Sequence, residues 1–224
     1  MSVKTTREHI VEAADQLFYR QGYAHTSFSD IADVVRISRG NFYFHFKTKD
    51  EILDAVIDAR LADTRKMLER WEIEGRRPAD RIRSFIHILL ANRADIKRYG
   101  CPVGTLRTEL AKLNHASQAQ ANELFTLFRT WLRRQFTLIG RAADADALAM
   151  HLLARSQGVA TLANAFHDET FIKREVREMC DWLSSCTQGA ERHARDERGA
   201  GGHARRRVGR KSKSAGRRPP SSTG

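Results

Sequence analysis

The chain has 224 residues, 41% of them hydrophobic, which is enough for one or two buried cores. No apolar run approaches the roughly 18–20 residues of a membrane span, and the polar start MSVKTTREHI lacks the apolar stretch of a secretory signal, so a cytoplasmic protein with no membrane partner is expected. The net charge of +12 is uneven: residues 189–224 hold 11 Lys/Arg against 3 Asp/Glu, a net of +8, which leaves +4 for the rest.

The periodicity predicts helices almost throughout. Only four prolines occur, and two of them are adjacent in the basic tail. Ile10, Ala13, Ala14, Leu17 and Phe18 mark one face of a first helix, and Gly22 fits a left-handed cap at its end, with Tyr23 in apolar contact. Ser27 with Asp30 reads as a variant capping box for a short second helix containing Ile31, Ala32 and Val35. Ser38 reads as a second N-cap. Thr48, with Glu51 three residues on, reads as a third.

Between those caps lies SRGNFYFHFKTK, which holds several aromatics and no acid; Arg36, Arg39, Lys47 and Lys49 fall in the acid-free span from Asp33 to Asp50. Propensity alone permits a strand for NFYFHF, but the caps favour a helix. On a helix Phe42 and Phe46 share an inner face with Ile37 nearby, while Asn41 and His45 share another, beside Tyr43 and Phe44. Helix, short turn, helix is the helix-turn-helix plan, whose second helix enters the major groove with its N-terminal residues at the base edges. Those residues are Ser38, Arg39, Gly40 and Asn41. Arg pairs with guanine and Asn with adenine, and an acid there would be repelled by phosphate.

IVEAADQLFYRQGY, TSFSDIA and ISRGNFYFHFKTKDEIL together resemble the TetR/AcrR family of transcriptional regulators, from about Arg7 to Leu53. The resemblance implies an all-α fold: a three-helix DNA-binding domain over 1–48, then a larger helical ligand-binding and dimerisation domain over 49–188, entered by a helix from 49. It also implies roles. Thr26 and Ser27 would cap the second helix and touch phosphate. Arg39, Gly40, Asn41 and Phe44 would face bases. Tyr43, His45 and Lys49 would hold phosphates, with Lys47 alongside. The family often has Ala-Gly in the turn where this chain has Val35-Arg36. Arg36 there implies either strain at positive φ or an added phosphate contact.

Beyond Glu51 the chain reads as a long helix from Lys49 towards Trp71, then further helices broken at Gly75-Pro78 and Gly100-Cys101-Pro102. Phe85, Leu89, Leu106, Leu110, Phe125, Phe128 and Trp131 either line a ligand pocket or form plain core, with His87, Arg93 and Cys101 as candidate polar anchors. Cys101, at a helix start, is also a weak candidate for a reactive thiol. In the last two helices small residues, with Leu152 and Ala163, and the stripe Ile172, Val176, Met179 and Leu183 suggest a dimer face; internal packing is the alternative. Residues 189–224 are too polar to fold on their own and read as a disordered basic arm or a neutral extension.

There is no nucleophile–base signature, phosphate loop or metal spacing, and Cys101, Cys180 and Cys186 fit neither a disulfide framework nor a zinc site. No enzyme activity, metal or cofactor is therefore expected. The expected function is a homodimeric, ligand-responsive regulator, a repressor released from a palindromic double-stranded operator by a small-molecule effector. The alternative is a helical enzyme or small-molecule-binding protein whose basic tail binds nucleic acid without specificity.

Overall fold

Short polar side chains fix where the N-terminal helices begin. In the computed structural model, which describes residues 4–188, α1 spans Thr6–Gln21, α2 Phe28–Val35, α3 Arg39–His45 and α4 Lys49–Glu74. Thr5, Ser27, Ser38 and Thr48 are the four N-caps, and each accepts the N–H three residues on. Ser27 and Asp30 close a capping box, as do Thr5 and Glu8. At Thr48 the box stays open, because Glu51 accepts from the Lys47 N–H instead, at 2.7 Å. NFYFHF is thus helical through His45, and Phe46 ends the helix in an extended conformation.

The two turns of this region differ. Gly22 has φ 92° and ψ 155°, not the left-handed cap expected, in a region open essentially to glycine alone. A Cβ there would also lie 3.0 Å from a Glu109 carboxylate oxygen. Arg36 ends α2 with φ 59° and ψ 43°, a left-handed conformation that disfavours a side chain by about 1–2 kcal/mol.

The chain continues through α5 (Pro78–Ala91), α6 (Arg93–Tyr99), α7 (Pro102–Lys112), α8 (Gln118–Leu138) and α9 (Ala145–Phe166), and a tenth helix, α10, covers 169–188. No strand occurs among the described residues, so the fold is all-α. The basic segment 189–224, and the disorder expected of it, lie outside the described residues.

Two hydrophobic cores result. The first joins Ile10, Ala14 and Phe18 of α1, Ile31 of α2, and Phe42 and Phe46 to Ile52, Leu53, Val56, Ile57 and Leu61 of α4. Leu106 and Leu110 of α7 and Ala121 and Leu124 of α8 close it from the other side. Packing therefore does not divide at 48/49; the first half of α4 belongs to the DNA-binding core. The second core holds Leu68 and Trp71 of α4 with α5, α8, α9 and α10.

Leu152, Ala163, Ile172, Val176, Met179 and Leu183 all lie in this second core and are buried within one chain. They cannot form the dimer face expected of them. Their spacing is that of any helix face packed on a neighbour.

A polar seam ties the two parts together. Glu109 of α7 accepts from the N–H groups of Tyr23 and Ala24 at 2.9 and 2.8 Å. Tyr19 donates to Gly100 O at 2.8 Å, Arg60 donates to Pro102 O at 2.7 Å and pairs with Asp15, and Ser117 donates to Asp54 at 2.6 Å. Tyr23 donates its hydroxyl to Asp50, whose carboxylate also lies 3.5 Å from His115.

Arg36→Gly relieves the left-handed strain but adds unfolded-state freedom, so a net gain of about 0.5–1 kcal/mol is expected in urea unfolding. The Tyr23 hydroxyl, then His115, hold the Asp50 carboxyl below its ordinary 3.8. A depressed carboxylate stabilises the fold above its unfolded pKa, and that contribution is lost as pH falls through the folded value. Asp50→Asn should therefore lower the urea midpoint at pH 7, and the gap from the wild type should close below pH 3.8.

Candidate nucleic-acid interface

α3 has only seven residues, too few to be stable alone. It is held by Phe42 and Phe46, each 1% exposed, and burying such rings stabilises by roughly 1.5–3 kcal/mol apiece. Phe28 of α2 packs edge-on to Phe42 at 5.1 Å and stacks on Tyr43 at 5.5 Å. With the inner face fixed, Ser38, Arg39, Gly40, Asn41, Tyr43 and Phe44 are left exposed, and His45 is half-buried. Phe44 is 78% exposed, an unusual position for a ring, and among the described residues its ring contact is edge-on to His45.

Arg36, Arg39 and Lys47 are also exposed, and none has an acidic partner among the described residues. Lys47 donates to the Tyr43 carbonyl. A Cβ on Gly40 would meet no atom within 4 Å. Neither its φ nor its neighbours require glycine, so the free protein has no packing reason for it. Close approach of another molecule's backbone is the remaining physical use.

Two of the site residues read from the sequence stand differently. Thr26 is buried, donates to Gly22 O at 2.7 Å and accepts from Gln21, so its side chain braces the turn and cannot reach a phosphate. Lys49 turns inward, donating to the carbonyls of Tyr23 and Thr26 at 3.0 and 3.1 Å with its ammonium 4.2 Å over the Tyr23 ring. It tethers α4 to the α1–α2 turn. The N-terminus of α4 carries Asp50 and Glu51, and their negative charge opposes an anion there. Ser27 stays exposed beside His25 in a shallow concavity. No sequence signal marks His25, because its place depends on the turn that Gly22 sets.

The expected pocket residues do not line one cavity. Phe85, Leu89 and Phe128 are buried in the second core, and Leu106 and Leu110 in the first. His87 is exposed, 3.8 Å from the Cys180 sulfur, and Arg93 lies 3.6 Å from Glu169. Cys101 and Phe125 do share a groove of about 1040 Å³ between α7, α8 and α9. There Cys101 caps α7, its sulfur accepting from Gly104 N–H at 3.5 Å. A second groove, of about 600 Å³, runs between α4 and α8 over Trp131, one of the expected lining residues. Among the described residues no helix is long and apolar enough to cross a membrane, and no group of three metal-ligating side chains converges.

Residues 10–56 match the family described as bacterial regulatory proteins, tetR family. A helix-turn-helix-type transcriptional regulator encoded in the lacX 3' region of Lactococcus lactis is 29% identical over 171 residues, spanning 75% of this chain and 87% of that protein. The helix-turn-helix-type transcriptional repressor DhaR of Mycobacterium sp. strain GP1 is 25% identical, over 70% of this chain and 82% of its own length. A TetR transcriptional regulator from Legionella pneumophila superposes with a TM-score of 0.72 at 25% identity, covering 81% of this chain and 98% of that one. Residues 10–56 are a helix-turn-helix DNA-binding domain of the TetR family, and over most of its length the chain is similar to helix-turn-helix transcriptional regulators.

Proposed function

We propose that the protein is a homodimeric repressor that presents two copies of α3 to a palindromic operator and is released by a small molecule. The observation that carries the DNA contact is the outer face of α3. Arg39, Gly40 and Asn41 sit exposed at its start, on a helix whose inner face is locked by Phe42 and Phe46 and which carries no acid of its own. Arg39 and Asn41 are placed to read base edges. Ser27, Arg36, Ser38, Tyr43, His45 and Lys47 flank them as phosphate contacts, and Phe44 offers its ring to a thymine methyl or sugar. The repressor described for the Mycobacterium relative supports the sign of regulation.

The dimer reading moves to the opposite face of α9. Ala154 and Gly158 are exposed there, with Leu162 and Phe166 further along, 45% and 75% exposed. Gly158 has open space around its missing Cβ. Small residues and two exposed apolar side chains on one helix suit close packing against a second copy, and a two-fold protein suits paired half-sites. Release by a ligand is then a population shift: a molecule favouring another spacing of the two α3 helices lowers operator affinity by as much as it prefers that state.

A gel shift on the protein's own promoter with residues 1–188 tests the core of this reading; sequence-specific binding without the tail supports it, and binding only with residues 189–224 present overturns it. Gly40→Ala should hold or raise the melting temperature, since alanine favours helix by up to about 1 kcal/mol, yet weaken operator binding at least tenfold. A variant that melts higher and binds as before removes Gly40 from the interface. Gly158→Arg should sediment as a monomer with an intact helical spectrum and lose operator affinity by tenfold or more; a dimer by sedimentation would rule out this face.

A further inference from the structure

Trp131 is 7% exposed on α8, and its indole N–H is the one buried side-chain donor with no acceptor among the described residues. Its neighbours are better served. Gln135, fully buried one turn on, donates to Glu72, and buried Ser156 donates to Leu153 O. Buried donors in native proteins are nearly always satisfied, so an exception calls for a physical reason.

Trp131 also forms the floor of the groove between α4 and α8, with Leu68 and Leu127, while Leu138, 54% exposed, stands at one end. About 600 Å³ falls within the usual range of small-molecule sites. The rim is polar, with three arginines against two glutamates. Arg134 pairs with Glu72 at 3.1 Å, whereas Arg65 and Arg133 make no ion pair within 4.0 Å among the described residues, Arg133 acting on Asp146 only from further away. An apolar floor and unpaired cations thus meet in one groove, over a ring whose own donor is covered and unsatisfied.

We propose that this groove is the effector site and that it takes a flat organic anion. The ring system lies over Leu68, Leu127 and Trp131, an acceptor oxygen takes the Trp131 indole hydrogen, and the negative charge lies toward Arg65 and Arg133. The inference rests on the ligand release proposed above and names its site and ligand class. The indole nitrogen is covered in the free protein, so the ligand must part α4 from α8 to reach it. α4 carries Ile52, Leu53, Val56, Ile57 and Leu61 into the DNA-binding core, while Glu109 holds the α1–α2 turn to α7. Parting the walls therefore moves α4 against a clamped turn, which re-aims α3.

The probe is 8-anilinonaphthalene-1-sulfonate, an aromatic anion, titrated into the full chain and into Trp131→Phe. Phenylalanine keeps a ring and removes the donor, so the variant should melt at or above the wild-type temperature. The variant should bind the probe at least fivefold more weakly. In spectra of ¹⁵N-indole-labelled protein, the N–H signal missing from the variant should be the one that moves on adding probe. The sulfonate-free analogue N-phenyl-1-naphthylamine should bind more weakly than the probe; equal binding would overturn the anionic class. Equal probe affinity in both proteins, or movement of the Trp71 and Trp182 signals alone, would overturn the site. Both proteins should bind operator alike without probe, and the probe should release only the wild type. Failure of both to bind operator would instead overturn the regulator reading, so the two failures are distinguishable.

Discussion

The burial of Phe42 and Phe46 is the constraint on which the rest depends. A seven-residue helix costs more in nucleation than its own hydrogen bonds return, so α3 exists because these two rings sit in a core built by α1, α2 and α4. That anchoring decides which residues face outward. With 42 and 46 inside, helical spacing leaves 39, 40, 41, 43 and 44 outside. A strand would have put 42, 44 and 46 on one side and buried Phe44 with the others. The interface is thus a consequence of core packing, and Phe28, wedged against Phe42 and stacked on Tyr43, carries the core's rigidity out to the surface.

α4 is the second mechanical element. It is one unbroken helix of 26 residues, and its two halves belong to different cores. A helix of that length spans about 39 Å, so a small tilt at Leu68 becomes a larger displacement near Thr48. The polar seam gives such a tilt something to act against. Glu109 fixes the α1–α2 turn from α7, and Lys49 fixes the same turn from α4. The turn is therefore held by two elements that any relative motion of α4 and α7 would pull apart.

What could be read from the sequence was what local chemistry decides. Ser27, Ser38 and Thr48 announced their helices, because a cap needs only a hydroxyl and a nearby N–H. The inner and outer faces of α3 followed from spacing alone, and the strain foreseen at Arg36 is present. The errors fell where a partner is distant in the chain. Lys49 was read as a phosphate ligand because its receiving carbonyls, Tyr23 and Thr26, are more than twenty residues away. Glu109 went unnoticed because its partners lie about 85 residues back. The stripe from Ile172 to Leu183 was read as a dimer seam because periodicity reports that a face is buried, not by what. Only the neighbours α5, α8 and α9 settle that.

The charge distribution completes the physical case for the outer face of α3. Several arginines elsewhere have acids to hand: Arg60 with Asp15, Arg129 with Asp146, Arg141 with Asp144, Arg155 with Glu175. A solvent-exposed pair such as Arg129–Asp146 is worth only about 0–1 kcal/mol, so the fold loses little where such pairs are missing at the surface. Around α3 they are missing at Arg36, Arg39 and Lys47 together, next to an aromatic ring left in water. Stability does not require that arrangement, and for the free protein it is slightly unfavourable, since like charges crowd and Phe44 hydrates. Both costs reverse against a polyanion with apolar groups between its charges. Each cation then releases a condensed counterion, a gain absent at a surface whose charges are already neutralised from within.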